Sequence, residues 1–95
     1  MREYELVVII KPDVSDDDAN AIVEKVKTLV TDRKGEVVEV KPWGKKKMAY
    51  PIGQYKEGNY VLTKLKLEAK LTREIDSALK LNEKIMRHLL VRKES

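Results

Sequence analysis

The side chains best suited to chemistry in this chain lie between Pro42 and Ile52, in the run Pro-Trp-Gly-Lys-Lys-Lys-Met-Ala-Tyr-Pro-Ile. Lys45, Lys46 and Lys47 stand in sequence between Trp43, the only tryptophan, and Tyr50. Cations beside aromatic rings suit a polyanion that also offers stackable bases, which is the chemistry of RNA. Strand-forming residues flank the lysines on both sides, so the ammonium groups are expected in fixed register rather than on a solvated tail. From Val40 to Lys56 there are five lysines and no acid. Between Lys84 and Lys93 the cations Lys84, Arg87, Arg92 and Lys93 also stand without an acid. Acids gather instead at Asp13, Asp16, Asp17 and Asp18, and this segregation of sign makes a basic face that can steer a polyanion.

Covalent and acid–base chemistry have little to work with. Cysteine is absent, His88 is the only histidine, and serine occurs only at Ser15, Ser77 and Ser95. Ser15 is placed to cap a helix, Ser77 falls within one, and Ser95 is the last residue, so no nucleophile has a base beside it. His88 reads as a residue on the surface of a sheet. Gly35, Gly44, Gly53 and Gly58 are isolated from one another, which leaves no glycine-rich phosphate loop. The run Asp16–Asp18 could be taken for a metal site, but consecutive acids at a helix start answer the helix dipole, and their carboxylates point in different directions. Catalysis, a metal, a cofactor and a small-molecule substrate are therefore not expected.

Ninety-five residues carrying a net charge of +4 make one domain, spanning residues 1–95, with a single core. The missing cysteines are compatible with a reducing cytoplasm. No apolar run approaches the ~20 residues of a membrane span, and Arg2-Glu3 followed by a strand pattern is not a secretory signal.

The elements that must hold the basic run follow from periodicity. Tyr4, Leu6, Val8 and Ile10 form one apolar face of a first strand, and Val7 and Ile9 make the other face partly apolar, as in a central strand. Ser15 caps the following helix, with Asp18 in the capping-box position. Ile22, Val26, Leu29 and Val30 give its buried stripe, and Gly35 suits the left-handed position after it. Glu36 to Ile52 reads as one long strand; Pro42 cannot donate to a ladder and Gly44 marks a bulge, so it belongs at a sheet edge. Gly53 to Asn59 is expected as a turn, and Tyr60 to Leu67 as the third strand. A helix carrying Leu71, Ile75, Ala78 and Leu79 follows, then a last strand from Ile85 to Arg92. The order βαββαβ predicts an α+β, ferredoxin-like fold: a four-stranded antiparallel sheet of order 4-1-3-2 with both helices on one face.

That fold hosts several functions. An acylphosphatase would need an anion loop with a paired arginine after the first strand, which is missing. The common RNA-recognition module stacks bases on aromatics of its central strands, yet phenylalanine is absent and the third strand offers only Tyr60. RNA binding would have to use the edge, loops and strand ends. Two structural readings compete with it: the lysines as guards against edge-to-edge pairing, and Trp43 as packing beside the bulge. Alternation sends Lys46 to the opposite side from Lys45 and Lys47, on the parity of Met48 and Tyr50. The alternative function from another class is a regulatory or dimerisation module that binds a small ligand.

Three segments carry a closer likeness: Met1-Arg2-Glu3-Tyr4-Glu5, Trp43-Gly44-Lys45-Lys46-Lys47-Met48-Ala49-Tyr50-Pro51-Ile52, and Ile85-Met86-Arg87-His88-Leu89-Leu90-Val91. With them the chain resembles the bacterial small-subunit ribosomal protein six family over nearly its whole length. The resemblance implies a structural protein of the 30S subunit, in the cytoplasm, that binds the central domain of 16S rRNA at the platform as a heterodimer with ribosomal protein S-eighteen. It implies that Lys46 and Lys47 face RNA, and that Arg2 and Arg87 make further backbone contacts. Lys45 falls where relatives often carry an apolar residue; it and Lys93 complete the expected RNA-binding set. Trp43 and Tyr50 are candidates for base stacking or for the partner interface. Relatives often continue into a charged C-terminal tail, and no tail function is expected of a sequence ending at Ser95. Val7, Ile9, Leu62 and one of Leu89 and Leu90 leave the helix-free face more apolar than solvent requires, which suits a partner chain.

Overall fold

Alternation in the first strand sets the architecture. In a computed structural model that describes residues 1–93, β1 (Arg2–Ile10) buries Tyr4, Leu6, Val8 and Ile10 and leaves Val7 and Ile9 half-buried on the other side. The elements that follow are α1 (Asp16–Asp32), β2 (Glu36–Ile52), β3 (Tyr55–Leu67), a 3-10 turn (Ala69–Leu71), α2 (Thr72–Lys80) and β4 (Ile85–Arg92). Ser95 lies outside the described residues. The sheet order is β2-β3-β1-β4 with every pairing antiparallel, which is the expected 4-1-3-2 read from the other edge. Ile22, Val26 and Val30 of α1 and Ile75 and Leu79 of α2 join one core with the buried residues of β1 and with Val61, Leu65 and Leu67 of β3. Both helices therefore cover one face, and the fold is ferredoxin-like α+β. Leu6, Ile10, Leu65, Leu67 and Ile75 are almost fully buried, and burying each such side chain contributes about 1.5–3 kcal/mol.

Local chemistry fixes the helix ends. The Ser15 hydroxyl accepts a hydrogen bond from the Asp18 N–H at 3.2 Å, while the Asp18 carboxylate turns to Lys84, 3.4 Å away. At the other end Lys34, not Gly35, takes the left-handed conformation, with φ 61°. The Lys34 N–H donates to Thr31 O and the Gly35 N–H donates to Val30 O, closing the carbonyls of the last turn. Gly35 is needed for a different reason: a β-carbon there would sit 2.7 Å from the Lys66 carbonyl oxygen and 2.8 Å from Val30 Cγ1.

Two further expectations are corrected. The turn between β2 and β3 is not Gly53 to Asn59, because β3 begins at Tyr55 and only Gly53 and Gln54 lie between the strands. Gly58 is a buried strand residue whose missing side chain makes room for Ile9 Cγ2 and Met86 Cε. His88 is not on the sheet surface. It stands opposite Val8, so it shares the helix-covered face, and its Nε2 lies 2.5 Å from Asp76 Oδ1 of α2. The His88 hydrogen bond, and then that of Lys80 at 3.1 Å, hold the Asp76 carboxyl below its ordinary value of 3.8.

Candidate nucleic-acid interface

The bulge expected at Gly44 decides the geometry of the basic run. Pro42 stands opposite Val61 and Gly44 opposite Tyr60, so Trp43 is the extra residue of β2. Gly44 has φ 80°, a conformation that admits glycine readily. Simple alternation would put Trp43 with Lys45 and Lys47; the inserted residue shifts the parity and brings Trp43 and Lys46 to the same, helix-free face. Lys46 lies opposite Gly58, and Lys45 and Lys47 lie opposite Asn59 and Glu57 on the helix side. The Lys46 ammonium sits 5.1 Å from the Trp43 ring centroid, within cation–π reach. Trp43 stacks on Tyr60, with centroids 6.4 Å apart and planes 21° from parallel. Tyr50 is 84 % exposed; the aromatic partner of Trp43 is Tyr60, the ring at the start of the expected third strand.

The other predicted cations divide between the two ends of the sheet. Arg87 stands opposite Ile9, whose other neighbour is Tyr60, so it shares the open face and the end of the sheet that carries Lys46. Arg2 stands opposite Leu67, and the Lys93 N–H donates to the Glu3 carbonyl at 2.8 Å. Both lie at the far end of β1, about 20–23 Å along the strand from Ile9 at the usual rise per residue. The six cations thus form two groups: Lys45, Lys46, Lys47 and Arg87 at one end, Arg2 and Lys93 at the other. Among the described residues none of the six makes an ion pair, whereas Lys27, Arg33, Lys41, Lys64, Lys80 and Lys84 do. Lys11, Lys25, Lys34, Lys56, Lys66, Lys70, Arg73 and Arg92 are likewise without an ion pair among the described residues, so the six are grouped by their placement on the sheet and not by a lack of partners.

The middle of the open face is apolar. Leu62, Val7 and Leu89 stand in one cross-strand row. Leu62 is buried although it lies outside the main core, and Leu89 is 60 % exposed. Leu89 is therefore the member of the Leu89/Leu90 pair on this face; Leu90 packs against the helix-side core. Beyond this row the face carries paired charges, with Glu39 between Lys41 at 3.7 Å and Lys64 at 3.8 Å.

Comparison with known proteins decides the family. The family model described as "Ribosomal protein S6" matches residues 3–92. The chain belongs to the ribosomal protein S6 family. It is similar to the small ribosomal subunit protein bS6 of Clostridioides difficile, at 48% identity over 96% of this chain and 98% of that one. The bS6 of Desulforudis audaxviator is 37% identical over 99% of this chain and all (100%) of its own length. A crystal structure of 30S ribosomal protein S6 from Thermotoga maritima superposes with a TM-score of 0.92 at 29% identity, covering 97% of this chain and 87% of that one. The S6-family match takes in the whole Trp43–Ile52 segment and Arg87, and leaves Arg2 and Lys93 just outside. Among the described residues no helix is long and apolar enough to cross a membrane.

Proposed function

We propose that this chain is a structural constituent of the small ribosomal subunit, working in the cytoplasm, that binds the central domain of 16S rRNA at the platform together with ribosomal protein S-eighteen. Family membership supports the ribosomal part of this reading. The observation that carries the RNA part is the segment from Val40 to Lys56, which holds five lysines and no acid and on which Lys46 is held over an aromatic ring at 5.1 Å. Lys45, Lys46 and Lys47 contact phosphates from both sides of the β2 edge, with Arg87 adding a contact from β4. Arg2 and Lys93 reach a second stretch of backbone at the other end of the sheet. Such contacts set affinity and register and carry no base sequence, so specificity comes from RNA shape and from the partner. The exposed Leu89 beside Val7 and Leu62 offers that partner an apolar seat.

Binding of the full chain to a central-domain 16S fragment, with and without ribosomal protein S-eighteen, tests the proposal. The partner should tighten RNA binding by about 5- to 150-fold, the usual range of coupling between two sites. Equal affinity for an unrelated RNA of the same length, or indifference to the partner, contradicts it.

A further inference from the structure

We propose that Trp43 is a stacking platform for one unpaired base of the bound RNA, backed by Tyr60 and covered in the free protein by Lys46, which the adjoining phosphate draws aside. The proposal rests on the reading of this surface as an RNA interface and names what the surface recognises besides phosphate. Three observations converge on it. First, the ring is not used up by packing: after stacking on Tyr60, Trp43 still has 43 % of its surface exposed. Second, crowding does not explain Gly44, because a β-carbon there would meet nothing within 4 Å. What glycine supplies is its positive φ of 80°, and with it the bulge that brings Trp43 and Lys46 to one face. Third, ring and cation sit as the two parts of one nucleotide require. In the free protein the ammonium lies over the ring, 5.1 Å from its centroid; moved aside, it stays within one side chain's reach of the phosphate attached to a base stacked on that ring.

The surroundings favour a nucleic acid over a protein at this spot. The cores of protein interfaces are depleted in lysine, and the segment from Val40 to Lys56 holds five lysines and no acid. Base–aromatic stacking tolerates any base, since every base has a π-face. Trp43 is therefore expected to prefer unpaired over paired nucleotides without choosing among the four.

Trp43 is the only tryptophan, so intrinsic fluorescence reports this ring alone. The full chain is titrated with single-stranded oligoadenylate and, separately, with inorganic polyphosphate of matched charge. Both should bind with a salt dependence that Lys46→Ala weakens, and only oligoadenylate should quench the indole. Trp43→Ala should weaken oligoadenylate binding by about 5- to 150-fold, the usual cost of losing a stacked base, and leave polyphosphate binding unchanged. Trp43→Phe, which keeps a ring, should recover most of the loss, and quenching in the unsubstituted chain needs no variant to fold. Lysine-dependent binding of oligoadenylate with unaltered emission overturns the stacking role and leaves the RNA interface standing. Failure of either polyanion to bind overturns both. Emission that responds to the partner protein and not to RNA assigns the ring to a protein interface, and also overturns the proposal.

Discussion

β1 is nine residues long, lies inside the sheet and buries every second side chain, whereas β2 is seventeen residues long, lies at the edge and keeps its middle exposed. The two strands serve different masters. In β1 the packing against α1 and α2 prescribes residue types, and the sequence alternates accordingly. In β2 the run Trp43 to Lys47 satisfies no core. Its bulge and its run of lysines contribute little to the folded state, where exposed charges are screened. Substitutions in β1 should therefore read out as stability, and substitutions in the middle of β2 as binding.

The largest stability loss is expected from Leu6→Ala, about 2–5 kcal/mol for emptying a filled core site, measured by urea unfolding. RNA affinity of the folded fraction should stay as it was. Gly58→Ala comes next, at about 1–3 kcal/mol for overpacking, because its new methyl group meets Ile9 and Met86. Gly58 lies opposite Lys46, so this variant also asks whether crowding beneath the interface disturbs it; intact RNA binding at a lowered midpoint would keep the two regions separate. A smaller effect concerns Asp76. Its folded carboxyl titrates below 3.8, so the native state binds fewer protons than the unfolded chain just under that pH. The stabilisation from His88 and Lys80 is then whole above about pH 4 and is lost as pH falls through the depressed value. Asp76→Asn should flatten this acid limb in a pH series of unfolding curves, and an unchanged limb would contradict the assignment. Lys46→Ala should move the unfolding midpoint least, within about 0.5 kcal/mol, as for most exposed substitutions.

How much of this was legible in the sequence follows the same division. The alternation of Tyr4 to Ile10, the Ser15 cap and the edge position announced by Pro42 and Gly44 are local signals, and each has a local physical cause. What escaped depends on which residues face one another across the sheet. Gly58 beside Asn59 looks like a turn, because the reason for its glycine, Ile9, lies on another strand. His88 looked solvent-facing because its partner Asp76 sits on α2, on a face that only the β1–β4 register reveals. Tyr60 was visible as a ring, but its pairing with Trp43 requires the one-residue shift that the bulge introduces. The same shift places Trp43 beside Lys46, which strict alternation would have separated. At the end of α1 the error was a single residue: a left-handed position was foreseen, and Lys34 rather than Gly35 occupies it.

The most direct test of an edge built for phosphate is the salt dependence of RNA binding in the double variant Lys46→Ala, Lys47→Ala. Each lost phosphate contact should lower the slope of log affinity against log salt by about 0.7 for single-stranded and 0.9 for duplex nucleic acid. The double variant should therefore lose about 1.4–1.8 from the slope, with its unfolding midpoint essentially unmoved. A slope and an affinity equal to those of the unsubstituted chain would contradict the account, and would leave the lysines as guards of an exposed edge.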